Sequence, residues 1–478
     1  MTKPYEKLVD DGSFDERDAD LTSADPLAYP GYREALDATK ERTGSSESVI
    51  TGTATIGGRR VEIASFDFGF IGGSMGEASG ERLARALERA AEEKHAFVLR
   101  TATGGARMQE GMRSLIQMPK VVAARISLAG AGMPFIAILG HPTTGGVLAS
   151  LAALADVTFA AEGATVGFAG PRVAEAFTGA PLDDGSHTAA SALANGLVDA
   201  LVGSDEERIA LGDALSVFAP DTPENVMRPE PAPDSSHQDP WETVQTARAA
   251  DRLNPALALP DLCDVFIELR GDRAGSDDQA LRTVIARVAG RRCVVLALDR
   301  RGSPAAAAFR KARRAVDIAA RLELPIVTLI DTRGADPSAD SEAAGVAWEI
   351  ARLFEALLSA PVPVVSVVTG EGGSGGALAF GVGDVLVAYA QSFFSVIGPE
   401  GAAQILWRDA ERAPEAARLL KVSPYDLKRL GIADEVTAEP LGQDSLRRVV
   451  AYHLDRVASG GSSRPRLADE RRRRWRSL

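Results

Sequence analysis

Short apolar runs, each ending in a glycine turn, organise this chain. Phe97-Val98-Leu99-Arg100, Phe135-Ile136-Ala137-Ile138-Leu139-Gly140, Pro325-Ile326-Val327-Thr328-Leu329-Ile330 and Val364-Val365-Ser366-Val367-Val368-Thr369-Gly370 have the length and character of buried strands. Glycine turns follow them, and Ala-rich segments of helical pattern follow the second and fourth. Strand, turn and helix alternate, which predicts an α/β class with a largely parallel sheet. Residues 1–45 are polar and loosely patterned, so regular structure is expected from about Val49.

The pattern occurs twice. In the first half, Phe135–Gly140 leads through Thr144-Gly145-Gly146-Val147 into a helix ending near Asp156, and Gly170-Pro171 follows. In the second half, Val364–Gly370 leads through Ser374-Gly375-Gly376-Ala377 into a helix ending near Asp384, and Gly398-Pro399 follows. Upstream, Gly104-Gly105-Ala106 matches Gly334-Ala335. Downstream, Asn195-Gly196-Leu197-Val198-Asp199 echoes Leu430-Gly431-Ile432-Ala433-Asp434. A Pro-rich charged stretch, residues 218–240, cannot bury a core and is expected to be a linker. The expected organisation is therefore a polar segment (1–45), a first domain (46–217), the linker, a second domain (241–458) and a basic tail (459–478).

Composition narrows the function. The 478 residues carry a net charge of −13, which argues against a dedicated nucleic-acid surface. The run Arg471-Arg472-Arg473-Arg474-Trp475-Arg476 is read as a solvated tail. Cys263 and Cys293 are the only cysteines, too few for a disulfide framework or a four-ligand zinc site, and they suit a reducing cytosol. The most apolar stretch, Met133–Ala161, is broken by His141-Pro142 and Gly145-Gly146 and carries Asp156, so no membrane span is expected. The acidic N-terminus shows no signal peptide. No metal-ligand spacing or P-loop occurs. His141 is read as a turn histidine, and Ser374 lacks a partner that would make it a nucleophile.

The glycine turns carry the chemistry instead. A helix N-terminus leaves its first N–H groups unpaired, and glycine lets a ligand approach them. Two such turns side by side aim donors at one point, as an oxyanion hole requires. Glycine turns also serve helix–strand packing, but four at repeat-equivalent positions favour donors. Two holes suit an enzyme that handles two carbonyl-derived anions.

These same residues carry a family resemblance. Phe70-Ile71-Gly72-Gly73-Ser74-Met75-Gly76, Gly104-Gly105-Ala106-Arg107-Met108-Gln109-Glu110-Gly111, Pro142-Thr143-Thr144-Gly145-Gly146-Val147 and Gly167-Phe168-Ala169-Gly170-Pro171-Arg172-Val173 resemble the beta subunit of bacterial acetyl-CoA carboxylase carboxyltransferase. Asp239–Gln245, Phe266–Arg273, Gly370–Ala377 and Ser395–Gly401 resemble its alpha subunit. The resemblance implies two tandem crotonase-like domains (ClpP/crotonase superfamily) in one fused chain. It implies carboxyl transfer from carboxybiotin, carried on a biotin carboxyl carrier protein and charged by a biotin carboxylase, to a short acyl-CoA. One hole, Gly145 and Gly146 helped by Gly105 and Ala106, would hold the acyl thioester enolate. The other, Gly376 and Ala377 helped by Gly334 and Ala335, would hold the biotin ureido oxygen. Gly104, Gly372, Gly373 and Gly375 would line the binding sites. A cytoplasmic homodimer or higher homo-oligomer, with no metal, nucleic acid or membrane, completes the expectation.

Two departures stand out. No cysteine precedes Cys263, so the beta subunit's zinc ribbon is not expected. Where the alpha subunit has Asp-Thr-Pro-Gly-Ala-Tyr-Pro-Gly, this chain has Asp331-Thr332-Arg333-Gly334-Ala335-Asp336-Pro337-Ser338, and Asp299-Arg300-Arg301-Gly302 replaces another family segment. The altered half leaves two further readings open: biotin-independent decarboxylation of a malonyl-type thioester, and a non-catalytic subunit of a carboxylase complex.

Overall fold

A computed structural model describes residues 3–183, 185–233, 238–438, 444–459 and 464–478. The chain divides into two compact units, Met1–Phe218 and Ala219–Leu478. In unit 1 the strands are β1 (Asp15–Arg17), β2 (Val49–Ile56), β3 (Arg59–Phe66), β4 (Ala96–Thr103), β5 (Phe135–Thr144), β6 (Val157–Ala161), β7 (Val166–Gly167) and β8 (Ala200–Val202). In unit 2 they are β9 (Val265–Glu268), β10 (Leu281–Val288), β11 (Arg291–Leu298), β12 (Ile326–Thr332), β13 (Val364–Gly373), β14 (Val385–Tyr389), β15 (Phe393–Ser395) and β16 (Glu435–Thr437).

The two sheets have one plan. Unit 1 runs β1-β2-β3-β4-β5-β6-β8 with β7 on β5, and unit 2 runs β9-β10-β11-β12-β13-β14-β16 with β15 on β13. Each begins with an antiparallel hairpin and continues parallel. The hairpin turns are Gly57-Gly58 and Ala289-Gly290, all four at positive φ. Two consecutive left-handed residues match the twist of the flanking strands. The helices Glu77–Glu93 and Ala306–Leu322 pack on equivalent faces. Each buries an apolar stripe, Leu83, Leu87 and Ala90 in one, Phe309, Ala312, Val316 and Ala319 in the other.

Four repeated aspartates fasten the sheets. Asp156 accepts the Phe135 N–H at 2.8 Å, and Asp384 accepts the Val364 N–H at 2.7 Å, so each holds the start of its long central strand. Asp199 and Asp434 do the same for Thr158 and Leu386 one strand over. The cations that balance them differ. Asp156 pairs with Arg125 from the helix Gln117–Gly130 at 3.0 Å. Asp384 pairs with Arg471 and Asp434 with Arg474, both from the helix Arg464–Ser477.

The basic tail is therefore a docked helix, not a solvated end. Arg471 is 1% exposed. It donates to the carbonyls of Leu357, Ala360 and Val362, capping the C-terminus of the helix Val346–Ser359. A charge run read from composition conceals this, because one buried arginine among five looks like its neighbours. The N-terminal segment also departs from expectation. It holds β1 and a helix, Tyr32–Thr43, whose Tyr32 and Leu36 are buried. The Pro-rich stretch is extended but anchored. Thr222 and Glu224 donate to Gly290 and Ala289, and Ala232 donates to Val436. Asp234–His237 of that stretch lie outside the described residues. Among the described residues no helix is long and apolar enough to cross a membrane.

Candidate functional site

In each unit the two central parallel strands end side by side in glycine turns. After a bulge, Thr103 pairs with Thr143 in unit 1 and Thr332 with Gly372 in unit 2. In unit 1, Gly104 donates to Gly72 O at 3.0 Å and Gly105 to Thr103 Oγ1 at 2.9 Å. Gly145 donates to Phe168 O at 2.8 Å. These three amides are engaged. The N–H groups of Ala106 and Gly146 have no acceptor among the described residues. Gly105 has φ +110°, and a Cβ there would stand 3.1 Å from Gly145 Cα and 3.3 Å from Gly146 N. Glycine thus permits the two turns to abut and brings the unpaired amides together.

Unit 2 repeats the arrangement. Gly334, at φ +124°, donates to Thr332 Oγ1 at 3.2 Å, while the N–H groups of Ala335, Gly375 and Gly376 lack acceptors among the described residues. A Cβ on Gly376 would stand 2.5 Å from Ala335 N. Gly372 and Gly373 lie in β13 and pair with β15, where the Phe394 ring occupies the space a Cβ on Gly372 would need. Ala377 is fully buried.

The strand register corrects the repeat by one residue. Since Thr143 matches Gly372, Gly145 matches Ser374 and Gly146 matches Gly375. The backbone agrees: the first helical residue is left-handed in both, at φ +69° for Gly145 and +61° for Ser374. Matching glycine to glycine obscured this, because serine stands where the geometry favours glycine.

What holds the turns was not read from sequence. Arg107, fully buried, follows Ala106 and binds Glu47 at 2.5 Å, Ser48 Oγ at 2.9 Å, Ser74 O at 2.6 Å and Tyr32 Oη at 3.3 Å, as well as Ser23. Tyr32 Oη also donates to Glu110 at 2.6 Å. Burial alone would disfavour both charges of the Arg107–Glu47 pair. The pairing overrides it, holding Glu47 below the usual carboxylate range and Arg107 above its ordinary value. The signal was Arg107 with Glu110 three residues on, but the partners lie far away, Ser23 and Tyr32 in the segment read as loosely patterned and Glu47 just beyond it. In unit 2 the equivalent residue is Asp336, whose carboxylate only closes a local turn with Ser338. Behind that turn, Arg248 makes a two-point pair with Glu371 at 2.8 and 2.7 Å. Asp331 Oδ1 accepts the Glu371 N–H at 3.0 Å, and burial pushes the Asp331 carboxyl up to about 6. His141 Nδ1 accepts from Thr165 N, consistent with a turn histidine.

Comparison with known proteins decides the family. The acetyl co-enzyme A carboxylase carboxyltransferase-like family matches residues 234–458. The acetyl-coenzyme A carboxylase carboxyl transferase subunits beta/alpha of Salinispora arenicola is 43% identical over 459 residues, covering 91% of this chain and 81% of that protein. The chain belongs to the acetyl-CoA carboxylase carboxyltransferase family. The Salinispora tropica protein of the same description is 40% identical over 504 residues, covering 98% of this chain and 89% of that one. Among solved structures, transcarboxylase 12S, a hexamer with methylmalonyl-coenzyme A and methylmalonic acid bound, superimposes with a TM-score of 0.79 at 26% identity, covering 96% of this chain and 90% of that one. The carboxyltransferase is thus a tandem crotonase-fold enzyme, and both altered segments, Asp331–Ser338 and Asp299–Gly302, lie at the ends of β12 and β11 in a sheet whose strand order matches that of unit 1.

Proposed function

We propose that this acyl-CoA carboxyltransferase holds the thioester in unit 1 and the biotin head group in unit 2, each by backbone amides. The observation that carries this is the set of unpaired N–H groups at the abutting turns. Charge develops on the thioester oxygen as the α-carbon loses its proton, and the Ala106 and Gly146 amides would take it up. Gly105 and Gly145 bring these donors together; Gly104 closes the turn. In unit 2, Ala335 with Gly375 and Gly376 would receive the ureido oxygen, Gly334 and Gly373 allowing the approach. Gly372 and Ala377 support that turn from strand and helix. Carboxybiotin, when bound, supplies the carboxyl group. Fixed amides cost no reorganisation as charge develops, and losing one oxyanion donor typically lowers the rate about 10²–10³-fold.

The partners of this reading are a biotin carboxyl carrier protein, a biotin carboxylase and a second copy of the chain, in the cytoplasm. The test is turnover of malonyl-CoA to acetyl-CoA with and without biotinylated carrier. Carrier-dependent turnover is expected, and Gly146→Pro, which deletes one N–H, should lower kcat about 10²–10³-fold. Carrier-independent turnover would replace transfer with decarboxylation, and full activity in Gly146→Pro would remove that amide from the mechanism.

A further inference from the structure

A second polar site lies in unit 2, beside the altered loop. Ala247, Arg248, Arg300, Asp331, Arg333 and Glu371 line a cavity of about 60 Å³. Arg248 and Glu371 satisfy each other there, and the remaining Nη1 of Arg248 goes to Glu400 at 2.7 Å. Asp331 is different. It is 1% exposed, its Oδ1 is engaged by Glu371 N, and its Oδ2 has no hydrogen-bond partner. Arg300 Nη2 donates to Ala249 O at 2.6 Å, but its Nη1 has no hydrogen-bond partner. The two unfilled atoms stand 3.9 Å apart, too far to bond each other directly.

A buried acceptor and a buried donor left open cost free energy unless a ligand or water fills them. The filling group must donate a hydrogen to Asp331 Oδ2 and accept one from Arg300 Nη1. Arg300 and Arg333 outnumber Asp331 on the part of the wall not closed by the Arg248–Glu371 pair, which favours an anion. At about 10–15 Å³ of probe-occupied volume per water, the space holds several waters or one small ion.

We propose that this cavity binds a small planar oxyanion that also carries a hydroxyl, namely bicarbonate. Its hydroxyl donates to Asp331 and its charged oxygens accept from Arg300 and Arg333. Arg333 and Glu371 of its lining adjoin the turns assigned to the ureido oxygen.

The test uses the full chain and ¹³C-bicarbonate, titrated by NMR near pH 8, where Asp331 is ionised. Nitrate, planar and singly charged but lacking a hydroxyl, is the competitor. Saturable bicarbonate binding with a dissociation constant on the order of 1–10 mM is expected, with nitrate weaker. Arg300→Met should weaken binding at least about tenfold, and Asp331→Asn should abolish the preference over nitrate. Arg333→Met, at an exposed position that leaves folding intact, should weaken binding about threefold. No saturable binding below about 0.1 M would mean that water fills the cavity and would overturn the proposal. Equal binding of nitrate, or unchanged binding in folded Arg300→Met and Arg333→Met, would do the same.

Discussion

The turn after β4 and the turn after β12 have the same backbone and opposite supports. Gly105-Ala106 and Gly334-Ala335 both start from a threonine hydroxyl that receives the glycine N–H, and both residues that follow donate to an earlier loop, Arg107 to Met75 and Asp336 to Pro304. In unit 1 the next side chain is a fully buried arginine ringed by acceptors. In unit 2 it is a half-buried aspartate in a local turn, and the charge has moved behind the turn to Asp331. The amide geometry needs only the backbone. The supporting side chains are free to differ, and here one turn is locked while the other backs onto a polar cavity.

The largest effect is expected at Arg107. Arg107→Met leaves Glu47 fully buried without its cation, which should cost about 3–5 kcal/mol. Peptide-resolved hydrogen exchange should show the loss around residues 47 and 107. Undiminished protection there would mean that the network does not hold the turn.

The two turns should also answer pH with opposite signs. Glu47 is held below its ordinary value, so its contribution is present above the usual carboxylate range and lost as pH falls through its lowered folded value. Asp331 is raised from 3.8 to about 6, so its burden is absent below the ordinary value and complete above about 6. That burden is on the order of 3 kcal/mol. Asp331→Asn should therefore raise stability above pH ~6 and change little in acid. Denaturant midpoints at several pH values would check this, and a uniform shift at all pH would reject the ionisation account.

A smaller contrast concerns the left-handed helix starts. Gly145→Ala places a Cβ 2.8 Å from Gly105 Cα at φ +69°, and should cost about 1–2 kcal/mol and some activity. Ser374→Gly should instead gain about 1 kcal/mol, read as a higher Tm. Smallest of all, Asp336→Ala should shift stability within about 0.5 kcal/mol, since its hydrogen bonds are local and exposed.

The sheet plan was legible because strands and glycine turns recur in a pattern that survives sequence divergence. Asp156, Asp199, Asp384 and Asp434 were visible as echoes, although their task of pinning strand N–H groups needed coordinates. The turn residues were legible as glycines. Which of their amides remain free was not, since that depends on acceptors such as Phe168 O and Thr103 Oγ1 supplied by folding. The Arg107 network and the docked Arg471 escaped for a related reason. Both join residues far apart in sequence, and neither follows a helical or strand period.

The aspartate at the head of each central strand also sets a clock for synthesis. Asp156 meets a cation made 31 residues earlier, so its pair can close as soon as β5 and β6 emerge. Asp384 waits for Arg471, 87 residues later. At about 5–20 residues per second that is a delay of roughly 4–17 s. During it β14, β15 and β16 are still being added beside an unbalanced carboxylate, and the end of the helix Val346–Ser359 is uncapped. The half that reads as the more altered in sequence is thus also the half that nascent-chain proteases and chaperones would meet unfinished.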